Sequence, residues 1–147
     1  MTFELRDHTA DVAVEATADT LSALFAAVAD GLAAASAESI PAAGDRFELD
    51  VAAESREALL FDYLDRLIYE RDVRLVLPAD HRCTVVEPSE GDDASGTADS
   101  DGWRLTASAR GVPLDAVAAR EIKAVTYSEM ALERRGDEWH AYVVFDV

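Results

Sequence analysis

Asp11-Val12-Ala13-Val14-Glu15-Ala16-Thr17-Ala18 alternates, with Val12, Val14 and Ala16 on one side, and Asp19-Thr20-Leu21-Ser22-Ala23-Leu24-Phe25 follows at once. The first stretch has the two-residue period of a strand with one buried face. From Thr20 the period changes. Leu21, Leu24, Phe25, Val28 and Leu32 follow helical spacing, with Asp19 or Thr20 as N-cap, which predicts a helix to about Ala35. The same switch recurs downstream. Phe47, Leu49 and Val51 alternate over residues 46–53, and Ser55 then opens a second helix. Its apolar face is Leu59, Leu60, Tyr63, Leu64, Leu67 and Ile68, and its end is expected near Arg71.

Upstream, Phe3 and Leu5 share one face of a strand over residues 2–6, and Asp7-His8-Thr9-Ala10 is a tight connection or a bulge. Beyond the second helix the pattern is all strand. Residues 73–77 and 82–87 flank Pro78-Ala79-Asp80-His81, a hairpin candidate, and strands follow over 102–109, 122–133 (a candidate for a bulge) and 138–146. Gly136-Asp137 turns the last two strands into a hairpin. The order is β-β-α-β-α-β-β-β-β-β. Runs of strands with short links predict an α+β fold, a mostly antiparallel β-sheet with two main α-helices packed on one face. No boundary interrupts residues 1–147, so one domain is expected. Pro88 to Asp101 holds five acids and no large apolar side chain, which predicts an acidic mobile surface loop.

Composition excludes several function classes. Thirty acids face thirteen bases over 147 residues, a formal net charge of −17. Such a surface repels phosphate backbones, so no direct nucleic-acid binding is expected. Self-repulsion on this scale needs salt to screen it, and twelve of the thirteen bases are Arg. An acidic, Lys-poor surface reads as adaptation to high salt, with a basic partner as the sharper alternative. Apolar stretches are short and broken by charges, so no membrane span is expected. Met1 to Asp7 carries acids and no apolar h-region, so the expected compartment is the cytoplasm. The lone Cys83 makes neither an internal disulfide nor a Cys-based zinc site and is expected as a small buried hydrophobe. There is no Gly-rich phosphate loop, no G-x-S-x-G and no H-E-x-x-H, and the three histidines lack ligand spacing.

Three features remain for chemistry. Asp7-His8-Thr9-Ala10-Asp11 packs two carboxylates, an imidazole and a hydroxyl at the junction of two strands. Asp7 and Thr9 equally suit plain turn hydrogen bonding. At the other extreme, the strand Trp139 to Val147 runs on where chain ends normally fray. An α-carboxylate at Val147 would lie beside the Asp146 carboxylate, and adjacent anions call for a cation. Hard oxygen donors of this kind suit calcium, magnesium or manganese. The third feature is Lys123, the single lysine, within Ile122-Lys123-Ala124-Val125-Thr126-Tyr127. A compact ammonium is not equivalent to a planar guanidinium.

Together, Asp7-His8-Thr9-Ala10-Asp11-Val12, Ile122-Lys123-Ala124-Val125-Thr126-Tyr127 and Val143-Val144-Phe145-Asp146-Val147 resemble the archease family, protein cofactors of the RtcB-type RNA-splicing ligase. The likeness extends over most of the chain and leaves out the acidic stretch after Pro88. It implies a non-catalytic protein, not an enzyme. Such a protein activates the ligase by promoting its GTP-dependent guanylylation and multiple turnover in tRNA splicing and related tRNA processing. It implies a divalent metal site at Asp11, Asp146 and Val147, calcium first among the ions named above. Lys123 matches the functional lysine of the family, and His8 and Asp7 belong to the motif implied in ligase activation. Two other classes compete: a general chaperone or adaptor, which calls for an exposed apolar patch, and a metal-dependent phosphohydrolase, which calls for a base and a phosphate loop. Only His8 is an obvious base.

Overall fold

Two hydroxyl caps fix where the helices begin. Thr20 Oγ accepts from the Ala23 amide at 3.1 Å and opens α1, Leu21–Ser36. Ser55 Oγ accepts from the Ala58 amide at 3.1 Å and opens α2, Arg56–Arg74. The second helix runs past Arg71 and stops at Leu75, which takes left-handed φ 57° and returns its amide to the Arg71 carbonyl. The computed structural model describes residues 2–7, 11–88 and 102–147. The loop expected over 88–101 therefore lies, Pro88 apart, outside the described residues.

The strands are β1 Thr2–Asp7, β2 Asp11–Ala18, β3 Asp45–Ala53, β4 Val76–Val86, β5 Trp103–Pro113, β6 Ala124–Arg135 and β7 Glu138–Asp146. Every pairing is antiparallel, and the α+β class and element order are those the alternation predicts, with β4 a single strand where two were expected. The strands divide into two sheets, β1-β2-β7-β6 and β3-β5-β4. Both helices touch both sheets. α1 packs on β1, β2, β7 and β4, while α2 packs on β6 and on all three strands of the smaller sheet.

That placement explains the composition of α1. Eleven of its sixteen residues are buried, five of them alanine, because a helix held between layers meets apolar neighbours on nearly every side. Leu24, Phe25, Val28, Tyr63 and Leu64 from the helices join Val14, Val143, Phe145, Leu49 and Leu105 from the sheets in one core. Phe25 and Tyr63 stack there with centroids 6.4 Å apart. None of the described helices is long and apolar enough to cross a membrane.

The hairpin expected at Pro78–His81 is instead a bulge inside one strand. β4 pairs with β5 on both sides of it, and the register shifts between Ala79 and Arg82, with Asp80 at φ 52°. Proline is tolerated here because β4 is an edge strand. Cys83 follows the bulge, half-buried, with Sγ donating to the Ser22 carbonyl at 3.3 Å. Burial pushes its thiol up to about 12, so it stays protonated and is a poor nucleophile.

Gly31 sets how closely α1 approaches β2. A Cβ built there would stand 2.5 Å from Val14 Cγ1, and Val14 is itself fully buried. Gly31→Ala gains up to about 1 kcal/mol of helix propensity but overpacks a filled site at about 1–3 kcal/mol. The variant is expected to lose stability in urea unfolding. A variant as stable as the parent would mean that Val14 turns aside at no cost.

Candidate functional site

β7 runs between β2 and β6, so the three singled-out segments become neighbours. Asp11 on β2 lies directly across from Asp146 on β7, and Asp146 lies directly across from Ala124 on β6. Residues opposite one another on adjacent strands share a face, with Cα atoms about 4.5–5.5 Å apart. The next row, Val12, Phe145 and Val125, points the other way and is buried in the core. That apolar row fixes the register. A slip of either strand by one residue would drive its carboxylate into the core and its apolar neighbour out.

Asp11 is half-buried with Oδ1 enclosed, and Asp146 is exposed. Val147 is half-buried and packs against the core, so the segment beyond β7 is held down rather than frayed. The Lys123 amide donates to the Asp146 carbonyl at 2.8 Å, which places the lysine one residue from the carboxylate row. Its side chain is exposed and makes no ion pair among the described residues. The strand entry at Lys123 is clamped from the helix side. Buried Arg71 of α2 donates to the Ile122 carbonyl at 2.7 Å, and Ile122 is fully buried. Asp7 ends β1 opposite Val12. Its side chain and the whole of His8 lie outside the described residues.

Among the described residues no three His, Cys, Asp or Glu side chains cluster as a metal site. What stands together is a pair of carboxylates, Asp11 and Asp146, with Val147 next in the chain. Two facing carboxylates with oxygen-only chemistry fit a hard divalent cation and would need further oxygens to complete its shell.

Two features escaped the sequence reading, the ring stack that the bulge in the 122–133 strand presents and a buried histidine. In β6 the pairing with β7 is interrupted between Thr126 and Ala131, with Glu129 at φ 60°. This bulge turns Tyr127 onto Phe61 of α2, ring centroids 4.0 Å apart and planes within 2°. The other feature is His81, which is buried beside a small cavity lined by Leu32, Ser36, Leu67, Ile68 and Leu77. Neither of its ring nitrogens makes a well-formed hydrogen bond among the described residues. A helical reading of residues 56–74 leaves Phe61 at the edge of the apolar face, which was the available signal for the stack. Nothing local signals the burial of His81.

Comparison with known proteins agrees with this architecture. The model of the Archease protein family matches residues 3–147. The protein archease of Thermococcus gammatolerans is 32% identical over 151 residues, covering 99% of this chain and 98% of its own. That of Methanosarcina barkeri is 28% identical, covering 99% and 95%. The solution structure of Methanobacterium thermoautotrophicum protein 1598 superposes with a TM-score of 0.77 at 26% identity, over 99% of this chain and 98% of that one. A Thermotoga maritima archease, described as a possible chaperone, superposes at 0.64 and 25% identity, over 97% and 94%. With the family match spanning both carboxylates and the lysine segment, the chain belongs to the Archease protein family.

Proposed function

We propose that this chain is a non-catalytic protein cofactor of an RtcB-type RNA-splicing ligase. It promotes GTP-dependent guanylylation of the ligase and multiple turnover in tRNA splicing, acting in the cytoplasm. The observation that carries the reading is the pairing of Asp11 with Asp146 across adjacent strands, with Lys123 hydrogen-bonded to the same residue. Three segments remote in sequence form one polar edge, although each alone has an ordinary structural explanation.

Asp11, Asp146 and the α-carboxylate that Val147 carries when it ends the chain would hold a divalent ion, calcium foremost, with magnesium and manganese suiting the same oxygens. Such an ion, when bound, supplies stabilisation of charge on a phosphoryl group in transfer. The chain's own residues do the rest. Asp11 is anchored by the buried row behind it, and Lys123 offers an ammonium beside Asp146 for a nucleotide phosphate or a ligase carboxylate. Asp7 and His8 complete the N-terminal motif and act in ligase activation.

The test is ligase guanylylation at high salt with GTP, with and without this chain. The expected result is a rise of about tenfold or more in guanylylated ligase, and no product from GTP and RNA ends when the ligase is omitted. Turnover by the chain alone would favour a phosphohydrolase. The description of the Thermotoga maritima relative supports a second reading, a general chaperone. Suppression of aggregation of unrelated clients, without ligase stimulation, would favour that one.

A further inference from the structure

The stacked pair of Tyr127 and Phe61 lies at the surface, with Phe61 against the core and Tyr127 outermost. Tyr127 is 57% exposed although one ring face is covered by Phe61 at 4.0 Å. The other ring face is open to solvent. It is held in that pose from both sides, by the β6 bulge that lifts residues 127–130 out of the ladder and by the helix beneath. Beside it on α2 stand Asp62 and Asp65, one turn apart and exposed, and neither makes an ion pair among the described residues. Other exposed acids of α2 are partnered. Asp72, for example, takes Arg71 at 3.0 Å. Burial and the Asp65 charge raise the Asp62 carboxyl, and burial, Asp62 and Glu54 raise the Tyr127 hydroxyl, so ring and carboxylates share one small surface.

An open aromatic face beside two uncompensated carboxylates is complementary to one common side chain. A guanidinium stacks flat on the ring and donates in a fork to the carboxylates. We propose that the Tyr127–Phe61 stack, flanked by Asp62 and Asp65, is the docking surface for an arginine-bearing segment of the RNA ligase. This rests on the ligase reading above and adds where the partner sits. Charge argues for that occupant. A chain of net charge −17 repels RNA and anionic membranes, whereas a protein that grips RNA carries basic surface. Position argues for it as well. Tyr127 is three residues along β6 from Ala124 in the carboxylate row, about 10 Å at strand rise. Exposed Tyr69 extends the apolar track two helical turns further along α2.

The test is the affinity of full-length variants for the ligase, measured by titration at fixed salt, alongside stimulated guanylylation. Tyr127→Ala is expected to weaken binding about tenfold or more, as truncation of a central aromatic anchor does. Asp62→Lys, an exposed substitution, should match it while leaving unfolding in urea unchanged. Saturating concentrations of either variant should restore guanylylation, because the carboxylate row is intact. Both variants binding within twofold of the parent would overturn the assignment and leave the ligase reading standing. Failure of the parent chain to bind or stimulate the ligase would remove both. Tyr127-dependent binding of RNA by the chain alone would also overturn it.

Discussion

The proposed carboxylate site predicts that calcium stabilises this protein and that Asp146→Asn abolishes the effect while leaving the fold intact. Asp146 is exposed, and its backbone carbonyl and amide stay in the β7 ladder whatever the side chain. The substitution keeps the shape and removes one of two anions set on the same face of adjacent strands. Without an ion, the parent bears their repulsion and the variant does not, so in chelator the variant should unfold at the same or slightly higher urea concentration. With calcium at a hundredfold excess over Kd, the parent should gain about 2.7 kcal/mol by mass action. In a domain of this size that is several degrees of Tm. The variant should gain almost none, since affinity for calcium follows the number of charged ligands. Ligase stimulation should fall with it. Asp11→Asn should behave alike, and its cost should be larger because Asp11 is half-buried. An Asp146→Asn protein that still shows the full calcium shift would eliminate the carboxylate site, and one that still fully stimulates guanylylation would detach activation from it.

The second large effect concerns acid stability. Burial, as the main cause, lowers the His81 pKa to about 4, with the Pro78 backbone pulling upward and the Arg46 charge pushing down. The folded protein therefore keeps this imidazole neutral at pH values where the unfolded chain protonates it, from about 6.5 downward. Between pH 6.5 and 4 the unfolded state binds the extra proton, so stability falls as pH falls, by about 3 kcal/mol in total. Above pH 6.5 the effect vanishes. His81→Leu fills the same apolar surroundings and removes two poorly partnered nitrogens. It should equal or exceed the parent in stability at pH 7.5 and lose far less on acidification. The quantity to follow is the difference between the two proteins in urea unfolding across that window. Neighbouring groups such as Asp30, whose carboxyl is raised by burial and which accepts from the His81 amide at 3.1 Å, largely cancel in it. Parallel pH profiles for the two proteins would show that the ring takes up its proton inside the fold.

The parts legible beforehand were those written in short-range periodicity. Alternation at Val12, Val14 and Ala16 and at Phe47, Leu49 and Val51 marks buried strand faces, and the hydroxyls of Thr20 and Ser55 mark both helix starts. The bulge at Pro78–His81 was misread because Pro, Asp and a polar neighbour are turn chemistry. Only pairing with β5 on both sides makes the segment one strand. The division into two sheets is settled by long-range pairing, which a two-residue period does not encode. Its one local trace is the alanine-rich, nearly all-apolar α1, which suits a helix covered from two sides. At the candidate site, chemical character put Asp11, Asp146 and Lys123 forward, and the strand register supplied their proximity. The Tyr127 stack depends on a bulge in β6 that the sequence marks only loosely.

The Glu15 carboxylate and the His140 imidazole, 2.7 Å apart on β2 and β7, are separated by 125 residues of chain. On a translating ribosome the early strands must therefore wait for a further 125 residues before their central partner emerges. Closing so long a loop is slow, and until then the apolar side of β2 has only α1 to shelter it. Nascent chains cut short before Glu138 would expose that surface and lack one half of the carboxylate row. In vivo, quality control would meet such truncated forms through that exposed apolar face.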